Sequence, residues 1–365
     1  MTFISRRTGL AGLAVLGTSA LVLAGCAAAP EDGGDGGEAL DFLPCVVSGT
    51  GGFDDNSFNQ LAYEGMIAAG EELGVEPITI ESETQDDYAP NVQGAIDQGC
   101  DFIITVGFDL AVATSEAGIA NPEIDFAIVD DTADTDFDGA TDSDNIKPII
   151  FDTAQAAFLA GYAMASYSET DVVGTYGGMA FPTVSIFMDG MAQGVEYYNE
   201  ENGTDVQVLG WDTAAQDGTF VGVFSPGTES FTAAQNLLDQ GADILAPVGG
   251  GIYLSAIEAI EDAGSSAAMI GVDADLTVTD PTNADYFLTS ILKNISTAVH
   301  DVVIEASSGD VDFTPYVGTL ENGGVGIAPF HSFEGSVDPE LQATLDALAA
   351  SIIAGDITVA SYLAG

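Results

Sequence analysis

The sequence predicts an α/β protein of two lobes, each a doubly wound parallel sheet, joined by a hinge. Three observations predict it. Short apolar runs bounded by turn residues alternate with amphipathic segments of helical period. The spacing leaves room for a crossover helix between successive strands, as parallel pairing requires. Roughly 325 residues follow an acidic, Gly-rich stretch near the N-terminus, enough for two domains of ordinary size.

The strands are expected at Cys45–Ser48, Pro77–Ile80, Phe102–Val106, Phe126–Val129, Pro148–Phe151, Val172–Tyr176, Val206–Leu209, Ile244–Val248, Met269–Val272 and Phe287–Ile291. The helices are expected at Asn59–Leu73, Val92–Gln98, Gln155–Ser166, Ile186–Tyr198, Ser230–Asp239 and Leu254–Ala263. Asp131 to Asn145 is polar and acidic and reads as a surface loop. A first hinge crossing is expected near Asp152. The first lobe then runs over 43–152 and is completed by about 293–325. The second runs over 153–292, and 326–365 is a C-terminal segment with a helix.

The N-terminus reads as a leader. Ser5-Arg6-Arg7-Thr8 precedes an apolar stretch from Leu10 to Leu23, which is short for a spanning helix. Paired arginines are compatible with twin-arginine export. Leu23-Ala24-Gly25-Cys26 looks like a bacterial-type lipobox, so 1–25 is expected to be a signal peptide and Cys26 the lipidated N-terminus. The alternative is ordinary cleavage near Ala28. Residues 26–42 then form an acidic, Gly-rich tether that cannot pack a core.

Charge narrows the class further. The chain carries 58 Asp and Glu against 4 Lys and Arg, a formal charge of −54. Both arginines lie in the leader. Nucleic acid is excluded as a partner, because neutralising phosphates takes Lys and Arg. A carboxylate-rich, Lys-poor surface reads as adaptation to concentrated salt, which screens self-repulsion. The 47% hydrophobic content separates this chain from acidic disordered segments. A retained lysine is then a candidate for a specific task, and Lys293 follows the last predicted strand. Its alternative is a surface lysine that was never replaced.

Ligands of open α/β sheets sit beyond the carboxyl ends of the strands. That rule selects Gly49 to Asn59, Gly107-Phe108-Asp109, Asp130-Asp131, Gly177 to Phe181, Gly249-Gly250-Gly251, Asp273-Ala274-Asp275 and Lys293. Aromatics and carboxylates thus gather at one rim of each lobe. Cys45 and Cys100 each open a predicted strand, and the two strands are expected to be neighbours. A disulfide, which an exported setting permits, and two buried free thiols are both open readings.

The segment Gly51-Gly52-Phe53-Asp54-Asp55-Asn56-Ser57-Phe58-Asn59-Gln60 resembles the opening signature of the basic membrane protein family, the purine-nucleoside-binding lipoproteins of ABC importers. So do Val106-Gly107-Phe108, Ala127-Ile128-Val129-Asp130, Phe158-Leu159-Ala160-Gly161-Tyr162, Phe187-Met188-Asp189-Gly190, Gly271-Val272-Asp273 and Thr289-Ser290-Ile291-Leu292-Lys293, in order along the chain. The resemblance implies a type I periplasmic-binding-protein fold that closes on a nucleoside. It implies that Phe58 stacks on the base and that Phe224 completes the sandwich from the other lobe. Asp130 is expected to accept from base nitrogens. Asp273 and Lys293 are expected on the ribose, with Gly249 allowing close approach. Asn59 is expected either to bond the ligand or to cap the following helix, and Asp55, Phe108 and Phe181 complete the expected set. The chain departs from many relatives at Ser48-Gly49-Thr50, where they end the first strand in Asp. It departs also at Asn56, where Lys is common, and at Leu276, where Gln is common.

The resemblance also implies the partners: an ABC permease and ATPase, and a membrane reached through the lipid. Such proteins act as monomers without a cofactor. An enzyme such as a nucleoside hydrolase is disfavoured, because His300 and His331 share no metal-ligand spacing, so no metal is expected. Gly249–Gly251 lacks the Lys and Ser/Thr of a P-loop, and there is no Gly-x-Ser-x-Gly elbow. A lipid-anchored receptor that signals would share the fold. Lys293 and Phe58 are both expected to be replaceable without loss of the fold.

Overall fold

The computed structural model describes residues 40–363. The leader, Cys26 and nearly all of the tether lie outside the described residues.

The chain first lays down β1 (Pro44–Thr50), α1 (Phe58–Leu73), β2 (Ile78–Ser82), α2 (Tyr88–Asp97), β3 (Phe102–Val106), α3 (Ala111–Ala120), β4 (Asp125–Val129) and β5 (Ile146–Phe151). It then crosses at Asp152 into α4 (Ala154–Tyr167), β6 (Val172–Gly177), α5 (Pro182–Asn202) and β7 (Gln207–Leu209). A short hairpin follows, β8 (Trp211–Asp212) with β9 (Asp217–Gly218). Next come α6 (Thr228–Asp239), β10 (Ile244–Val248), α7 (Tyr253–Ala263), β11 (Ala268–Asp273), α8 (Leu276–Thr279) and β12 (Phe287–Lys293). The chain ends with α9 (Ile295–Ser307), β13 (Tyr316–Gly318), β14 (Val325–Ile327) and α10 (Leu341–Ala354).

The strands form two six-stranded sheets, ordered β13-β5-β4-β3-β1-β2 and β14-β12-β11-β10-β6-β7. The two orders correspond strand for strand, so the lobes are pseudo-symmetric. Within the first sheet every pair is parallel. In the second only β12–β14 is antiparallel. Parallel strands are covered by helices on both faces and therefore read as unbroken apolar runs. Every residue of β3 and of β10 is buried, which is why these two runs were legible end to end. The parallel pairing of β1 and β3 brings Cys45 and Cys100 together in a disulfide with a Cα–Cα distance of 6.0 Å. It lies at the strand starts, away from the rim where ligands sit.

The chain crosses between sheets three times: at Asp152, after Lys293, and between Gly318 and Val325. The helix α9 packs against α1, β13 extends the first sheet, and β14 then returns to the second. The segment after 326 therefore does not stand apart. Its helix α10 packs on α4. The motif segments on α4 and α5 have a packing reason: a Cβ on Gly161 would lie 2.0 Å from the Met191 carbonyl oxygen, and one on Gly194 would lie 2.0 Å from that of Phe158. Glycine lets the two backbones touch.

Lys147 is the second lysine among the described residues. It is buried in β5, where its ammonium donates to the carbonyls of Asp312 and Thr314 and faces Glu305 at 3.6 Å. It ties β5 to the loop that delivers β13. Among the described residues no helix is long and apolar enough to cross a membrane.

Candidate functional site

The carboxyl ends of both sheets face one cleft of about 700 Å³, part of it open to solvent. Asp55, Phe58, Asn59, Phe108, Asp130, Phe224, Gly249, Asp273 and Lys293 all line it. Phe181 does not. Its ring lies against Phe108 of the other lobe, centroids 3.8 Å apart, so this pair is a contact between the lobes rather than a platform for a ligand.

Lys293 ends β12 at the second crossing and is buried. Its ammonium is 2.5 Å from Asp130 Oδ2 and 3.7 Å from Asp273 Oδ1. It also lies near three aromatic rings, 4.8 Å from the centroid of Phe187, 5.5 Å from that of Phe58 and 6.0 Å from that of Phe151. Such placement is favourable for a desolvated cation. Asp130 follows β4 and Asp273 ends β11, equivalent places in the two sheets. Both adopt left-handed backbone, φ 65° and 67°, uncommon for a residue other than glycine. Burial pushes both carboxyls up from their ordinary value, with Lys293 pulling the other way, and Asp273 is pushed up to about 6. Ser57, which the sequence reading did not single out, faces Asp273 and donates across the lobes to its Oδ2 or to the Val272 carbonyl, at 3.2 and 3.1 Å. The lobes are shut on each other through this cluster. Asp130 therefore sits with Lys293 and Asp273 in one group, not apart at a base edge as expected.

Asp55 and Asn59 turn inward as scaffolding. Asp55 Oδ1 accepts from the backbone of Ser57 and Gln60, and Oδ2 from the backbone and side chain of Asn59. These bonds satisfy the open amides at the start of α1. Asn59 Oδ1 in turn accepts from Gly49 N–H at 2.9 Å, fixing the end of β1. The Asn59 carboxamide thus braces the loop that presents Phe58.

Gly249 has a different neighbour from the one expected. A Cβ there would stand 2.5 Å from Phe224, and one on Gly178 would stand 2.3 Å from the same ring. One edge of the Phe224 ring abuts these two glycines, its centroid 6.0 Å from that of Phe108. The close approach that Gly249 allows is to Phe224.

Tyr88 and Thr183 also line the cleft and lie outside the segments the sequence selected, while Thr50 and Asp109 fall within them. Thr183 Oγ1 is buried with no hydrogen-bond partner. The histidines lie elsewhere. His300 faces Glu72 and Asp301, which raise its pKa, and His331 bonds Asp275. In the acidic loop Asp134, Asp136 and Asp138 bring ligand atoms within 4.8 Å of one another.

A closed cleft between two pseudo-symmetric lobes is the architecture of a type I periplasmic binding protein. The Bmp family model, ABC transporter substrate-binding protein PnrA-like, matches residues 44–345. The chain belongs to this family. Over 360 residues it is 28% identical to the ABC transporter nucleoside-binding protein BmpA of Lactococcus lactis, covering 94% of this chain and 96% of the relative. It is likewise 28% identical over 375 residues to the CD4+ T-cell-stimulating antigen of Listeria innocua, covering 98% and 99%. A crystal structure of ABC transporter solute-binding proteins from Aeropyrum pernix K1 matches with a TM-score of 0.76 at 23% identity, over 88% of this chain and 94% of that one. At that identity the likeness speaks to the fold. As a Bmp-family member the chain is a substrate-binding protein of an ABC transporter and not an enzyme.

Proposed function

We propose that this chain is an extracytoplasmic lipoprotein, anchored through Cys26, that closes on a purine nucleoside and hands it as a monomer to the permease of an ABC importer. The observation that carries the reading is the Lys293–Asp130–Asp273 cluster at one end of a cleft that also holds Phe58 and Phe224. One ammonium and two carboxylates offer a donor and several acceptors, which suits the vicinal hydroxyls of a sugar. The rings suit a planar base, each worth roughly 1–3 kcal/mol by analogy with base stacking on aromatics. A cleft with more carboxylates than cations disfavours anionic ligands, so a nucleoside fits better than its phosphate ester. The Lactococcus lactis relative is itself named a nucleoside-binding protein.

In this reading Phe58 and Phe224 hold the base, with Phe108 beside them. Lys293, Asp130 and Asp273 hold the ribose. Asp55, Asn59 and Gly249 position the rings, and Thr183 offers a hydroxyl from the second lobe. Closure is a hinge motion about the three crossings.

Calorimetry of the purified chain in molar salt, against nucleosides, nucleotides, free bases and sugars, tests the proposal. Nucleosides should bind and the corresponding 5′-monophosphates should not. Phe58→Ala should weaken binding by roughly tenfold or more without changing the circular dichroism, the loss expected for one stacking face. An affinity for sugars that Phe58→Ala leaves untouched would overturn the nucleoside reading.

A further inference from the structure

Once the ribose is given to the Lys293 cluster, which holds the Asp130 expected at the base, the base needs another reader, and three polar residues near the end of β1 are occupied. Both oxygens of Asp55 are taken by the start of α1. Asn59 is held between Gly49 and Asp55. Ser48, two residues before the end of β1, is buried and accepts from Ser82 N–H.

The order of strands says where the base edge falls. Across the first sheet the order runs β4-β3-β1-β2. Asp130 follows β4, Asp109 follows β3, Thr50 ends β1, and Gln85 and Tyr88 follow β2. Neighbouring strands are about 4.8 Å apart, so β4 to β1 spans about 10 Å. That is the reach of a sugar joined to a bicyclic base. A ribose at Asp130 therefore points its base toward Asp109, Thr50 and Tyr88, all of which line the cleft.

Asp109 is built to stay there as an acceptor. Gln85 Nε2 donates to its Oδ2 at 3.0 Å, which engages one oxygen. Tyr88 is buried, and its hydroxyl accepts from Thr50 N–H at 3.1 Å. Burial pushes the Asp109 carboxyl up, while bonds from Gln85 and Tyr88 hold it back. No lysine accompanies it among the lining residues at this end.

Resting on the nucleoside reading above, we propose that Asp109 reads the base edge and selects purine nucleosides that carry a protonated ring nitrogen beside an oxo group, inosine and guanosine, over adenosine. A carboxylate only accepts. It meets the imino N–H of inosine, and both the imino and exocyclic amino N–H of guanosine. Adenosine presents a bare ring nitrogen there, and two acceptors facing each other in a desolvated site repel.

The test is calorimetry with inosine, guanosine and adenosine on the intact chain and on Asp109→Asn. Wild type should bind inosine and guanosine more than tenfold tighter than adenosine. Asp109→Asn should lose more than tenfold toward guanosine while adenosine changes by less than threefold, so adenosine also reports that the variant is folded. A variant that keeps the wild-type order of preference overturns the assignment of Asp109 and leaves the nucleoside reading standing. So does an equal loss for all three ligands. A wild-type chain that binds none of the three overturns the nucleoside reading itself.

Discussion

Lys293 joins two carboxylates that belong to opposite lobes, and this changes what its removal should do. As a binding residue it was expected to be replaceable with the fold intact. In the structure, removal leaves Asp130 and Asp273 buried without a countercharge. Breaking a buried pair from one side costs about 3–5 kcal/mol. Lys293→Met should therefore lower stability by about that much at pH 8, measured by urea unfolding in molar salt. The sign of the pH effect follows from Asp273, pushed up to about 6 against an ordinary 3.8. Between those values the folded chain holds a proton that the unfolded chain releases. Lys293 holds the folded value down, so in the variant the carboxyl is pushed further up; the penalty is relieved as pH falls through that higher value, and the deficit of the variant should shrink from pH 8 towards pH 5. A deficit independent of pH would mean that the carboxylates are not the cause. For binding, Phe58→Ala is accordingly the cleaner probe.

At the scale of elements, buried parallel strands were legible because alternation is lost when both faces are covered. The match is residue for residue for β3 and β10, and within a few residues for the other long strands. The strands β13 and β14 escaped notice: three residues each give no pattern, and they exist only because the chain weaves back through the hinge. The rim loops were likewise legible, since strand ends are where open sheets bind. What stayed hidden was contact between distant segments. Ser57 meets Asp273 across 216 positions, and Phe108 meets Phe181 across the lobe boundary. The seat of Phe224 was equally invisible, since only the fold brings Gly178 and Gly249 against one ring. Gly178 tests that seat, because its backbone is not left-handed and an added Cβ acts through space alone. Gly178→Ala should push the edge of Phe224 away and weaken ligand binding by about tenfold, with a change in melting temperature of no more than a few degrees. Unchanged affinity would show that Phe224 does not need this seat.

For the whole molecule the governing quantity is a charge of −54 on 365 residues. Self-repulsion of that size acts against any compact state, and its range is set by salt: about 3 Å at 1 M and about 30 Å at 0.01 M. Circular dichroism should show cooperative loss of helix as salt is dialysed from molar to millimolar, recovered when salt is restored. A spectrum indifferent to salt would refute the reading of the acidic surface. The two lysines among the described residues are both buried, and both tie distant segments.

The bridge between Cys45 and Cys100 braces one half only, at the ends of β1 and β3 that face away from the cleft. By chain entropy a crosslink of this span contributes about 4 kcal/mol. Durability and recognition should then come apart under a reductant. Amide hydrogens of the first sheet should begin to exchange faster, while those of β10 and β11 and the affinity for ligand hold steady. A chain without the staple should still recognise its ligand, only for less time.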